Sequence, residues 1–121
     1  MNHITVEDIL WKLRIENLTA MQLTAIEKWR KGKDLVLLSP TGSGKTLTYI
    51  IPLLQTLDSS NCVQAIIIVP SRELAIQIEQ VFKTIGSGIP VMSCYGGRPA
   101  MDEHRTMKSI KPRIIISTPG R

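Results

Sequence analysis

Ser39-Pro40-Thr41-Gly42-Ser43-Gly44-Lys45-Thr46 lies between an apolar run, Leu35-Val36-Leu37-Leu38, and a stretch from Lys45 to Leu57 with apolar residues at helical spacing. A strand, a glycine-rich turn and a helix in that order make a phosphate-binding loop the leading expectation. Gly42 and Gly44 let the backbone curl so that successive N–H groups point inward, and the helix N-terminus adds its dipole to that anion nest. Thr41 and Ser43 complete the loop. Lys45 is suited to neutralising charge on the β- and γ-phosphates and the Thr46 hydroxyl to ligating Mg²⁺, which makes these two the catalytic candidates. One position departs from the strict G-x-x-x-x-G-K-[ST] pattern, because Ser39 stands where the first glycine is written.

Outward from this loop the same alternation repeats. Further apolar runs occupy Ala65 to Val69, Ile89 to Cys94 and Ile114 to Ile116, and unbroken runs of this kind mark strands covered on both faces. Arg72 to Ile85 and Pro99 to Ile110 carry the intervening helical patterns. Four strands alternating with three helices predict an α/β fold, a parallel sheet with flanking helices. The four strand C-termini are then expected on one edge, where such folds bind ligands. Pro52 falls inside the first crossover helix and is expected to kink it.

Before Gly32 the pattern is helical. Thr5-Val6-Glu7-Asp8 has the form of a capping box, with Ile4 and Ile9 placed as a staple, and predicts a helix over 6–13. Thr19-Ala20-Met21-Gln22 repeats the signature, and Met21, Ala25, Ile26 and Trp29 give the second helix an apolar face. Trp11 is expected to anchor a core.

Composition narrows the class. The 121 residues are 43% hydrophobic and 21% charged, as in globular domains, which excludes disordered and collagen-like polymers. No run reaches a membrane-spanning length and no leader pattern opens the chain, so a cytoplasmic protein is expected. Cys62 and Cys94 are too far apart for a metal or redox pair, and both are expected buried and reduced; His3 and His104 lack ligand spacing. Lys+Arg total 15 against 10 Asp+Glu, net +5, and the excess is concentrated late: residues 98–121 hold six basic side chains against Asp102 and Glu103. A polyanionic partner fits that distribution, as does a solvated helix face.

Pro70-Ser71-Arg72-Glu73-Leu74-Ala75-Ile76-Gln77, Gly96-Gly97 and Thr118-Pro119-Gly120-Arg121 each follow a predicted strand. With the Gln22 region and the phosphate loop, they resemble the DEAD-box ATP-dependent RNA helicases in order and spacing. The resemblance covers nearly the whole chain. It implies a truncated RecA-like P-loop NTPase fold, with 1–31 as N-terminal helices bearing the glutamine region and 32–121 as the first half of an ATP-binding domain. It also implies ATP and Mg²⁺ as cofactors, and RNA as a partner held through its sugar-phosphate backbone by Ser71, Arg72, Gly97, Thr118 and Arg121. Glu73 is a possible ion-pair partner of Arg121.

Gln22 has two readings. As the fourth member of its capping box, the amide has a structural task. In the resembling family this glutamine reads adenine, whose N7/N6 edge matches an amide that both accepts and donates. Ala20 and Met21 stand where that family usually has Pro and Ile, and no aromatic lies near Thr5 to stack on the base, so the expected adenine preference is modest. The Walker B Asp, the water-orienting Glu and the second domain that the resemblance implies are not expected within residues 1–121. The chain by itself is expected to be inactive in hydrolysis and prone to self-association. A DNA-directed helicase of the wider superfamily and a non-catalytic nucleotide- or RNA-binding module are the alternatives.

Overall fold

The computed structural model describes residues 4–40, 42, 44–97 and 99–121. Two compact units divide the chain, Met1–Leu57 and Asp58–Arg121.

The first unit holds three helices, α1 (Val6–Leu13), α2 (Ala20–Arg30) and α3 (Lys45–Thr56). Thr5 caps α1 by accepting from the Asp8 N–H, and the reciprocal box of Thr19 and Gln22 opens α2, so both predicted starts are realised. α2 packs on α3, and Ala25, Ile26, Ile50, Ile51 and Leu54 are buried. α3 runs through Pro52, which is itself fully buried; the missing N–H leaves the carbonyl one turn back without its intrahelical donor. The burial expected of Trp11 is not found: the ring is 76% exposed with the Lys12 ammonium 5.8 Å from its centre. Ile9 takes the inward position of α1, and a residue two places on lies well around the helix from it.

The strand expected at Leu35–Leu38 is absent as well. The segment is irregular, and Val36 and Leu38 are 85% and 90% exposed. A strand exists only through a partner's ladder, and no described residue pairs with this one; apolar composition cannot provide that.

The second unit is a three-stranded parallel sheet in the order β1-β3-β2, with β1 (Ala65–Ile68), β2 (Val91–Cys94) and β3 (Ile114–Ser117). α4 (Arg72–Ile85) packs on β2 and β3, and α5 (Ala100–Ile110) on β2. Ile114 and Ile116 of the central strand are fully buried, and Ala75, Ile78 and Phe82 of α4 and Met92 of β2 are buried as well. β1, at the edge, is not covered on both faces as its apolar run suggested: Ile66 and Ile68 are exposed. Cys94 is buried, but Cys62 is exposed in the loop before β1, beside the Ser60 hydroxyl at 3.5 Å. In that loop Ser60 donates to the Asp58 carboxylate from both its hydroxyl and its N–H, which holds the Asp58 carboxyl below its ordinary range. No helix among the described residues is long and apolar enough to cross a membrane.

Candidate functional site

In the first unit the glycine loop meets α3 without a side-chain cap. Gly44 is the N-cap residue at φ +86° and Gly42 lies at φ +83°, both left-handed positions that glycine adopts without strain. No acidic side chain stands in the first turn of α3. Backbone donors at the start of a twelve-residue helix, with no carboxylate to compete, suit an anion. Thr41 and Ser43 lie outside the described residues.

Three side chains converge on this loop. The Lys45 ammonium donates to the Ser39 carbonyl at 2.7 Å, folding back over the loop it would otherwise extend beyond. Near the start of α3, burial pushes the Tyr49 phenol above its ordinary pKa, with the Thr46 side chain opposing that shift. Gln22 is 5% exposed and has a partner at each end of its amide: Oε1 accepts from the Thr19 N–H at 2.8 Å, while Nε2 donates to the Gly44 carbonyl at 3.0 Å. The capping task is therefore performed, and the same amide is attached to the phosphate loop. The bond from Gln22 to Gly44, 22 residues apart, had no signal in the sequence.

In the second unit the parallel register brings Ile68, Ser117 and Cys94 level across the sheet, so the loops that follow them share one edge. Four of the five residues implied for RNA contact have recorded partners there. Ser71 caps α4 by accepting from the Leu74 N–H at 3.2 Å. The Arg72 guanidinium lies 4.9 Å from the centre of the Tyr95 ring. Gly97, at φ +104°, sits close to Arg72: a Cβ there would lie 3.5 Å from one guanidinium nitrogen, an ordinary contact. The Thr118 N–H donates to the Cys94 carbonyl, and the Arg121 N–H closes a turn onto the Thr118 carbonyl, both at 3.1 Å. The Arg121 side chain pairs with Glu103 of α5 at 3.2 Å. Tyr95 and Glu103 were not singled out from the sequence, because ring and carboxylate acquire their meaning only when the fold sets them against the two arginines.

A glycine loop opening a helix and a parallel sheet with flanking helices are features of RecA-like domains. The chain's residues 19–121 match the family model of the DEAD/DEAH box helicases, and the chain belongs to that family. It is 42% identical over 113 residues to the ATP-dependent rRNA helicase RRP3 of Meyerozyma guilliermondii, covering 91% of this chain and 24% of that one. It is 38% identical to the ATP-dependent RNA helicase CshA of Listeria monocytogenes, covering 91% and 22%. Among solved structures it is similar to the DEAD-box helicase Mss116 bound to ssRNA and UDP-BeF (TM-score 0.85, 30% identity, 98% of this chain and 27% of that one). It is likewise similar to a DEAD box protein of Methanococcus jannaschii (TM-score 0.81, 30% identity, 95% and 33%). The chain thus spans about a quarter of the length of the curated relatives it matches.

Proposed function

We propose that this chain binds Mg·ATP at its phosphate loop and the sugar-phosphate backbone of RNA at the sheet edge, as part of an ATP-dependent RNA helicase. Residues 1–31 serve as the N-terminal helices with the glutamine region, and 32–121 as the first half of the ATP-binding domain. The observation that carries the nucleotide reading is the uncapped start of α3 behind two left-handed glycines.

In this reading the loop amides and the Lys45 ammonium hold the phosphates, Lys45 leaving the Ser39 carbonyl to do so. The Thr46 hydroxyl would hold Mg²⁺ through its oxygen. Magnesium supplies neutralisation of phosphate charge when bound. Gln22 reads adenine with the hydrogen-bonding capacity left on its amide, or by releasing Gly44. The chain alone is proposed to bind ATP without turning it over. The RNA reading draws on Arg72, Gly97, Thr118 and Arg121 sharing one edge with Ser71, and on the single-stranded RNA in the Mss116 complexes.

Calorimetry with Mg·ATP on the chain and on Lys45→Ala tests the nucleotide site. Loss of one charge-assisted contact should weaken binding by roughly 1.5 to 3 kcal/mol. Equal affinity in the two proteins rejects the assignment.

A further inference from the structure

Glu103 is an acidic side chain that folding takes almost wholly out of water, being only 5% exposed in the first turn of α5. The dipole of α5 accounts for an acidic residue in that turn, but Asp102 beside it gives the same effect while remaining exposed. Burying a carboxylate costs several kcal/mol unless a cation and hydrogen bonds compensate. Compensation here is one-sided: Oε1 lies 3.2 Å from Nε of Arg121, whereas buried Oε2 has no hydrogen-bond partner. The Arg121 side chain keeps 24% of its surface exposed.

The pair also joins two loops. Arg121 closes the turn onto Thr118, whose N–H is tied to Cys94 at the end of β2, and Glu103 belongs to the helix that follows the Gly96-Gly97 loop. Glu103 therefore fixes the 118–121 turn against α5 while cancelling one of the positive charges that would attract a polyanion. A purely electrostatic RNA site would omit it. An oriented one gains from it, because a guanidinium held at Nε presents its planar fork in one direction.

We propose that Glu103 is a positioning residue for RNA binding: it holds the Arg121 guanidinium in the orientation that meets a backbone phosphate. This rests on the reading of Arg121 as an RNA contact. The chemistry separates two functions of the carboxylate. Glu103→Gln keeps an acceptor oxygen for Nε and removes the charge, whereas Glu103→Ala removes both.

Fluorescence anisotropy of a labelled single-stranded oligouridylate, at two salt concentrations, gives the test on the whole chain, with melting temperature and Mg·ATP affinity measured alongside. Arg121→Ala and Glu103→Ala should each weaken RNA binding about 3- to 10-fold, the range of one hydrogen-bonded contact. Each should also lower the salt dependence by about one phosphate contact. The double variant should be no weaker than Arg121→Ala. Glu103→Gln should bind RNA at least as well as the unmodified chain. If Arg121→Ala weakens binding and Glu103→Ala does not, or if their effects add, the inference is overturned while the RNA reading stands. If the unmodified chain binds no RNA, or Arg121→Ala leaves binding unchanged, the RNA reading fails and takes the inference with it. Should Glu103→Ala not fold, Glu103→Gln decides, since weaker RNA binding at an unchanged melting temperature overturns the positioning role.

Discussion

The glycine loop and the sheet edge restrain the groups proposed to bind nucleotide and RNA by different means. At the loop, restraint lies in the backbone: Gly42 and Gly44 take left-handed conformations, and the helix that follows supplies donors by its geometry alone. At the sheet edge the groups proposed to meet RNA are long cationic side chains, and restraint comes from partners elsewhere in the chain, the Tyr95 ring for Arg72 and the Glu103 carboxylate for Arg121. A backbone site is compact and intolerant of substitution. A side-chain site is adjustable, and its strength depends on how well each arginine is held.

The largest effect should come from breaking the backbone site. Gly44→Ala meets two penalties: a left-handed φ, costing about 1 to 2 kcal/mol, and a Cβ that collides with Gln22 Nε2, which must move and give up a bond worth about 1 kcal/mol. Gly97→Ala has the conformational penalty, but its Cβ would make only ordinary contact with Arg72. Thermal melting should therefore place Gly44→Ala below Gly97→Ala, and calorimetry should find Mg·ATP binding impaired only in the former. Equal losses in both would show that the contact with Gln22 is readily relieved.

An intermediate effect is expected at Gln22, where the structural and functional readings meet. Gln22→Ala removes the bond to the Thr19 N–H and the bond to Gly44, together roughly 1 to 2 kcal/mol. The melting temperature should fall by several degrees, and any preference for ADP over GDP should narrow. A fall in melting temperature with an unchanged nucleotide preference leaves the amide with its structural work alone.

These two regions also differ in how far the sequence revealed them. The three sheet strands and all five helices follow from local signals, since capping pairs, helical spacing and apolar runs act within a few residues. α4 begins and ends at the predicted residues because Ser71 and Gly86 are cap residues whose roles need no tertiary context. Leu35–Leu38 is at least as apolar as β3 but has no ladder partner among the described residues, and pairing is a property of the sheet rather than of the segment. The exposed face of β1 escaped for a related reason: its place at the edge depends on the strand order. In the sites, glycines and motif cations were legible by residue type, whereas Gln22 with Gly44, Tyr95 with Arg72, and Glu103 with Arg121 are pairings made by folding.

The smallest effect, and the finest test of the contrast, lies at Tyr95. If the sheet edge depends on holding its arginines in place, the ring under Arg72 contributes to RNA binding without touching RNA. The guanidinium carbon is 4.9 Å from the ring centre, within range of attraction by the ring face. At a partly exposed site such a contact is worth about 0.5 to 1 kcal/mol, so Tyr95→Leu should weaken oligouridylate binding roughly 2- to 5-fold. Tyr95→Phe keeps the face and should bind like the unmodified chain. Because Arg72 remains charged in both variants, the salt dependence should change little in either. If Tyr95→Phe loses as much affinity as Tyr95→Leu, the phenol hydroxyl rather than the ring is the active group, and Tyr95 contacts RNA itself. If neither variant changes affinity, Arg72 needs no partner, and at that position the sheet edge works by charge alone.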